Sequence, residues 1–134
     1  MELAHLVATW SKDASTQVGS VIVDDKNRIV SVGFNGSPRG VEDAKDRPSK
    51  LMRTIHAEAN ALHFAARSVE GCTVYVTHPP CAHCAGHLIQ RGIACVVFHV
   101  PSEDFLSRWQ DNYNEAVAMF AEADVTVVEM SQIQ

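Results

Sequence analysis

The order of elements along the chain predicts an α/β protein, a three-layer α/β/α domain built around a five-stranded mixed sheet. Two observations carry that prediction. An early pair of β-branched runs separated by a polar turn reads as an antiparallel hairpin, and helical and strand segments then alternate to the end of the chain. Such alternation closes by right-handed crossovers onto one sheet with helices on both faces. With 134 residues, 46% of them hydrophobic and 20% charged, the chain suits one domain, 1–134, that needs no disulfide staples.

Leu3, Leu6, Val7 and Trp10 recur at helical spacing, which predicts an opening helix from about Glu2 to Ser11. Val18 to Asp24 and Arg28 to Phe34 form the hairpin around Asp24-Asp25-Lys26-Asn27. Gly19 and Gly33 inside these strands mark either close backbone approach or a simple packing need. Asn35-Gly36-Ser37-Pro38-Arg39-Gly40 is a loop signal, and the polar stretch after it extends the loop to about Lys50. A loop of that length in a compact domain is usually functional or mobile.

Thr54 to Arg67 is dense in alanine and reads as a helix with Ala57, Ala61, Leu62 and Ala65 inward. Thr73 to Thr77 is a strand candidate ended by His78-Pro79-Pro80. A helix from Cys81 to Gln90 follows, closed by Gly92. Ile93 to Val100 reads as a strand and Val125 to Glu129 as the last one. Between them a long helix, Phe105 to Ala123, is expected to turn Leu106, Trp109, Tyr113, Val117 and Phe120 to the core.

The formal net charge of −5 argues against an extended nucleic-acid surface, which needs clustered Lys and Arg. One or two local bases still suffice for a small anionic ligand. Four cysteines, two of them as C-x-x-C, with no signal segment and no apolar run of membrane length, point to a reducing cytoplasm and no membrane. There the pair serves as metal ligands or as a redox couple. Cys72 and Cys95 fall beside or inside strands and read as small buried hydrophobes.

His56, Cys81 and Cys84 are the donors a catalytic zinc uses, three protein ligands of imidazole and thiolate type. The i, i+3 spacing of the cysteines sets both sulfurs on one side of a helical first turn, where the helix dipole favours thiolate. Glu58, two residues after His56, is placed to exchange a proton with an activated water. A lone C-x-x-C or a lone helical His would carry little weight. Together at the starts of two successive helices they match the H-x-E and P-C-x-x-C signature of the zinc-dependent nucleobase deaminases. His83 and His87 share an outward helix face, a weaker candidate for a second metal.

These segments resemble the cytidine and deoxycytidylate deaminase superfamily, and within it the dCMP deaminases. The resemblance runs from Thr16-Gln17-Val18-Gly19 through the Gly33-to-Gly40 loop and His56-Ala57-Glu58-Ala59-Asn60-Ala61 to Val74-Tyr75-Val76-Thr77 and Pro80-Cys81-Ala82-His83-Cys84. It implies a cytidine-deaminase-like domain holding one catalytic Zn2+ on His56, Cys81 and Cys84, with Glu58 as the proton shuttle. It further implies that Asn35 meets the sugar and that backbone near Ala57 and Cys81 meets the pyrimidine carbonyl. Activated water then adds to C4 of cytosine, and dCMP becomes dUMP plus ammonia.

For the 5′-phosphate, Ser37 and Arg39 are the favoured contacts, with Lys12, Ser15 and Arg108 as weaker ones. The family also implies a homo-oligomer, dimer or hexamer. Some members carry extra cysteines for a second, structural zinc after the loop; this chain has none between Gly40 and Arg53, which removes one footing for nucleotide regulation. The competing readings are a deaminase of another base, namely cytosine, cytidine, guanine, tRNA adenosine or a C5-modified dCMP, and a non-catalytic zinc-stabilised binding subunit. Glu58 separates the second of these from an enzyme.

Overall fold

The computed structural model describes residues 1–131. Along the chain lie α1 (Glu2–Ala8), β1 (Gly19–Val23), β2 (Ile29–Phe34), α2 (Arg47–Arg53), α3 (Ala57–Phe64), β3 (Thr73–Val76), α4 (Ala82–Gln90), β4 (Cys95–His99), α5 (Glu103–Glu122) and β5 (Thr126–Met130). The five strands form one mixed sheet in the order β2-β1-β3-β4-β5. β1 is antiparallel to both its neighbours, while β3, β4 and β5 are parallel.

This strand order explains how the helices are shared between the faces. The crossovers from β2 to β3, β3 to β4 and β4 to β5 all step the same way across the sheet, and right-handed crossovers that step one way place their helices on one face. Accordingly α3, α4 and α5 build the main core with Ile22, Val74, Val76, Val96 and Phe98 from the sheet and Leu88, Ala116 and Phe120 from the helices. The opposite face has a smaller cluster, where Ala4 and Val7 of α1 meet Val21 and Val23. The three expected layers are present but unequal. Phe98, Phe120, Ile22 and Leu88 are fully buried, each worth roughly 1.5–3 kcal/mol.

The hairpin grips the start of α3. Ser20 Oγ donates to the Ala57 carbonyl at 2.8 Å and Ser31 Oγ to the Ala61 carbonyl at 2.7 Å. Gly33 faces the same stretch, and a β-carbon there would collide with the backbone of Ala57 and Ala61. Gly19 stands in the same relation to Ala4 and Ala8 of α1. Close backbone approach is thus the reason for both glycines.

Several expected boundaries shift. α1 stops at Ala8, three residues short of Ser11, in a turn at Thr9-Trp10. The stretch read as loop to Lys50 contains α2, which starts on an Asp46 cap and carries Pro48 in its first turn. Thr54 to His56 is extended, with Ile55 bridging Gly36, so α3 begins at Ala57 and His56 is its N-cap. α5 starts earlier than expected, at Glu103, where Ser102 Oγ accepts the Phe105 amide. Gly92 takes φ +82° just after α4, the left-handed conformation its place at the helix end requires. Trp109 departs from the expected core face: it is 46% exposed and stands on the rim of a cleft.

Candidate active site

Two helix starts meet at the end of the sheet where the parallel strands finish. His56 caps α3, and the chain leaving β3 passes through His78-Pro79-Pro80 to Cys81, the N-cap of α4. His56 Nδ1 lies 3.3 Å from Cys84 Sγ and 3.5 Å from Cys81 Sγ. The three donor atoms all fall within 4.8 Å of one another, and among the described residues no other group of three or more does so. For zinc bonds of about 2.1 Å to nitrogen and 2.3 Å to sulfur in a tetrahedron, the nitrogen–sulfur edge comes to about 3.6 Å. The set fits that ion, and three protein donors is the number a catalytic site uses.

Protons are shared across the donors. Hydrogen bonding from the Cys84 thiol, with lesser help from His56 and the Cys84 amide, outweighs burial and brings Cys81 down to about 4. Cys84 is pushed up by the neighbouring Cys81 sulfur and by burial. The bond to Cys81 outweighs burial and raises His56. The α4 N-terminus adds to this, since the Cys84 amide donates to Cys81 Sγ at 3.4 Å. A metal ion bound by these donors would take the place of such protons and release them.

Glu58 is the second residue of α3 and only 4% exposed. Burial pushes its carboxyl up to about 7 against the pull of its own amide and of His56. It lines, with His56, Ala57 and Cys81, a cleft of about 650 Å³. Cys84 is buried behind them. Asn112 of α5, also on the cleft, accepts the Ala82 amide at 2.8 Å.

Asn35 lines the cleft with its side chain engaged at both ends. Its oxygen accepts the Val18 amide at 2.9 Å and its nitrogen donates to the Thr16 carbonyl at 2.9 Å. Ser15 and Arg108 also line the cleft, and Arg108 pairs with Asp104 at 2.9 Å. Ser37, Arg39 and Lys12 are not among the lining residues. Ser37 Oγ donates to Asp43 at 3.1 Å, and Arg39 and Lys12 are exposed.

The structure adds residues that sequence reasoning missed. Lys50 of α2 reaches Asp13 at 2.7 Å and Ser15 at 3.4 Å, and Arg47 stands on the same wall. The Asp46-x-Pro48 helix start was the available signal for α2. His5, His78 and His99 form another part of the wall. His83 and His87 lie outside the cleft on the exposed side of α4, with Nε2 atoms 3.2 Å apart.

The chain matches the family described as cytidine and deoxycytidylate deaminase zinc-binding region over residues 1–100. It is 52% identical over 129 residues to a protein of Aliivibrio fischeri named as an uncharacterized deaminase in the luxG 3′ region, covering 94% of this chain and 87% of that protein. It is 40% identical over 108 residues to the deoxycytidylate deaminase of Homo sapiens, covering 73% of this chain. It spans 61% of that relative's length and 54% of a probable deoxycytidylate deaminase of Caenorhabditis elegans. A crystal structure of dCMP deaminase from the cyanophage S-TIM5 in complex with dCMP and dUMP superposes with a TM-score of 0.74, covering 96% of this chain and 92% of that one. At 24% identity that match speaks to the fold.

Proposed function

Because the chain belongs to the cytidine and deoxycytidylate deaminase zinc-binding family, we propose that it deaminates a cytosine deoxynucleotide by hydrolysis, dCMP plus water giving dUMP plus ammonia. The observation that carries the reading is one cleft holding the buried Glu58 carboxyl together with His56 and Cys81, with Cys84 behind them. Relatives named deoxycytidylate deaminase support the choice of substrate.

His56, Cys81 and Cys84 would hold one zinc ion, which when bound would supply the Lewis acidity that makes water nucleophilic near neutral pH. Glu58 takes one proton from the attacking water and delivers it to N3 of the base, where it stays, and then carries the second proton of that water to the departing amine, which leaves as ammonia. Its burial keeps that proton out of bulk solvent. Ala57 offers backbone to the pyrimidine carbonyl, and Asn35 holds the Thr16–Val18 segment against the cleft, where the sugar is expected. Lys50 and Arg47 join Ser15 and Arg108 as the phosphate end, since they bring charge to the same cleft. Ser37, Arg39 and Lys12 remain the contrasting assignment.

We place this reaction in one domain and in a reducing cytoplasm, in keeping with four free thiols. Among the described residues no helix is long and apolar enough to cross a membrane. The charge balance gives no footing for stable nucleic-acid binding. Exposed Leu6, Trp10, Phe34, Leu51, Met52 and Phe64 favour a homo-oligomer, a dimer or hexamer. Ammonia release from cytosine, deoxycytidine, CMP, dCMP and 5-methyl-dCMP tests the reading: dCMP or a close relative should turn over best. No turnover of any monophosphate would overturn it.

A further inference from the structure

The helix that starts at the two cysteine donors carries another pair of metal-type donors on its solvent side. His83 and His87 stand one turn apart on α4 and are exposed, while Cys84, Ala85 and Leu88 of the same helix are buried. Side chains four residues apart on a helix are neighbours. Here the two rings meet edge to face with centroids 4.7 Å apart, and their Nε2 atoms come within 3.2 Å. Among the described residues neither ring makes another hydrogen bond or an ion pair, and neither lines the cleft.

Two properties fit this pair to an ion. The first is distance. Bonds of about 2.0–2.1 Å from one ion to two imidazole nitrogens set those nitrogens about 3.3–3.4 Å apart in a tetrahedron, and about 2.8–3.0 Å apart at a right angle. The observed separation lies between the two, so the rings need to shift by only tenths of an ångström. The second is proton freedom. The Nε2 atoms share at most one proton, and each ring can carry its own on Nδ1 instead, which leaves two bare Nε2 lone pairs converging on one point. An ion there displaces a single exposed hydrogen bond.

The scaffold beneath the pair is fixed. Leu88 is fully buried, and Asn112 accepts the Ala82 amide at 2.8 Å. The spacing of the rings is therefore set before an ion arrives, and such preorganisation favours binding.

We propose that His83 and His87 form a second metal site, a surface clamp for a divalent ion of the zinc, nickel or copper type, separate from the His56, Cys81 and Cys84 donors. Imidazole suits those ions, whereas Mg2+ and Ca2+ seek oxygen. Two protein donors leave the other positions to water, so the ion is exchangeable. The inference goes beyond the deamination reading and does not depend on it, because neither residue lines the cleft.

The test titrates Ni2+ by calorimetry into tag-free protein already loaded with one zinc per chain, beside its His83→Gln and His87→Gln variants, with zinc content measured before and after. The native protein should take up one nickel per chain and keep its zinc. Each variant should bind nickel at least about tenfold more weakly, the lower end of what losing even a supporting group costs a metal site. A His5→Gln protein should match the native one, which separates this pair from the histidines of the cleft, and excess Mg2+ should not displace the nickel. Both side chains are exposed, so the variants keep the fold. His87 lies three residues beyond Cys84, so its variant carries the comparison if His83→Gln disturbs the zinc donors on either side of it. No nickel beyond the zinc, nickel taken up only as zinc is lost, or equal affinity in the native protein and both variants overturns the proposal and leaves the pair a surface hydrogen bond.

Discussion

The side-chain oxygen of Asn112 on α5 accepts the backbone N–H of Ala82 at 2.8 Å, so α5 ties down the first turn of α4, where the two cysteine donors stand. Asn112→Leu leaves that amide without its partner, and supporting contacts of this kind are worth about 10–100-fold in metal affinity. Competition with a chelator should show zinc held at least about tenfold more weakly in Asn112→Leu. Asn112→Asp keeps the acceptor oxygen and should hold zinc nearly as the native protein does. Equal affinity in all three proteins would remove Asn112 from this role.

Lys50 and Arg39 give opposite expectations for the phosphate. Lys50→Met should raise KM for dCMP by about 10–100-fold, the worth of one charge-assisted hydrogen bond of roughly 1.5–3 kcal/mol. Deoxycytidine, lacking the phosphate, should be turned over equally by both proteins. Arg39→Ala should leave KM for dCMP unchanged, since Arg39 stands outside the cleft lining. The reverse pattern would restore the loop assignment made from the sequence.

The chemistry was legible in the sequence because His56-x-Glu58 and Pro80-Cys81-x-x-Cys84 are local motifs. Each folds as one helix start, and alternating elements bring the two starts together. The basic residues of the cleft, where we propose the phosphate binds, were not legible in the same way. Lys50 sits on α2, which buries none of its residues and so shows no apolar period, and its partner Asp13 is 37 residues away. His5, His78 and His99 likewise meet only through the sheet. Trp109 satisfied the helical period of α5 yet faces the cleft rim, because periodicity names a helix face and not what stands opposite it.

Gly33→Ala tests how tightly the hairpin holds α3. The added β-carbon would press on the Ala57 carbonyl and the Ala61 amide, both backbone atoms that cannot swing aside. Urea unfolding should show a loss of about 1–3 kcal/mol or more. Activity should fall as well, because Ala57 separates His56 from Glu58. A variant of native stability would contradict the close approach described above.

Acid stability depends on Asp24 in the hairpin turn. The Arg28 amide is the strongest influence holding its carboxyl below the usual range; burial opposes it, and the Lys26 amide and the Arg28 and Arg67 guanidinium groups reinforce it. The folded protein therefore binds this proton less readily than the unfolded chain. The stabilisation is present above the unfolded value of about 3.9 and is lost as pH falls toward the lower folded value. Thermal unfolding followed below about pH 4 should show a shallower acid decline in Asp24→Asn than in the native protein. Parallel declines would remove Asp24 as a cause.

Turnover of dCMP by Glu58→Gln, measured beside its zinc content, tests the central claim most directly. The variant should fold, carry one zinc per chain and release ammonia at least about 100-fold more slowly than the native protein, the scale of a lost general acid–base group. A zinc-loaded Glu58→Gln protein that deaminates dCMP at the native rate would contradict the account.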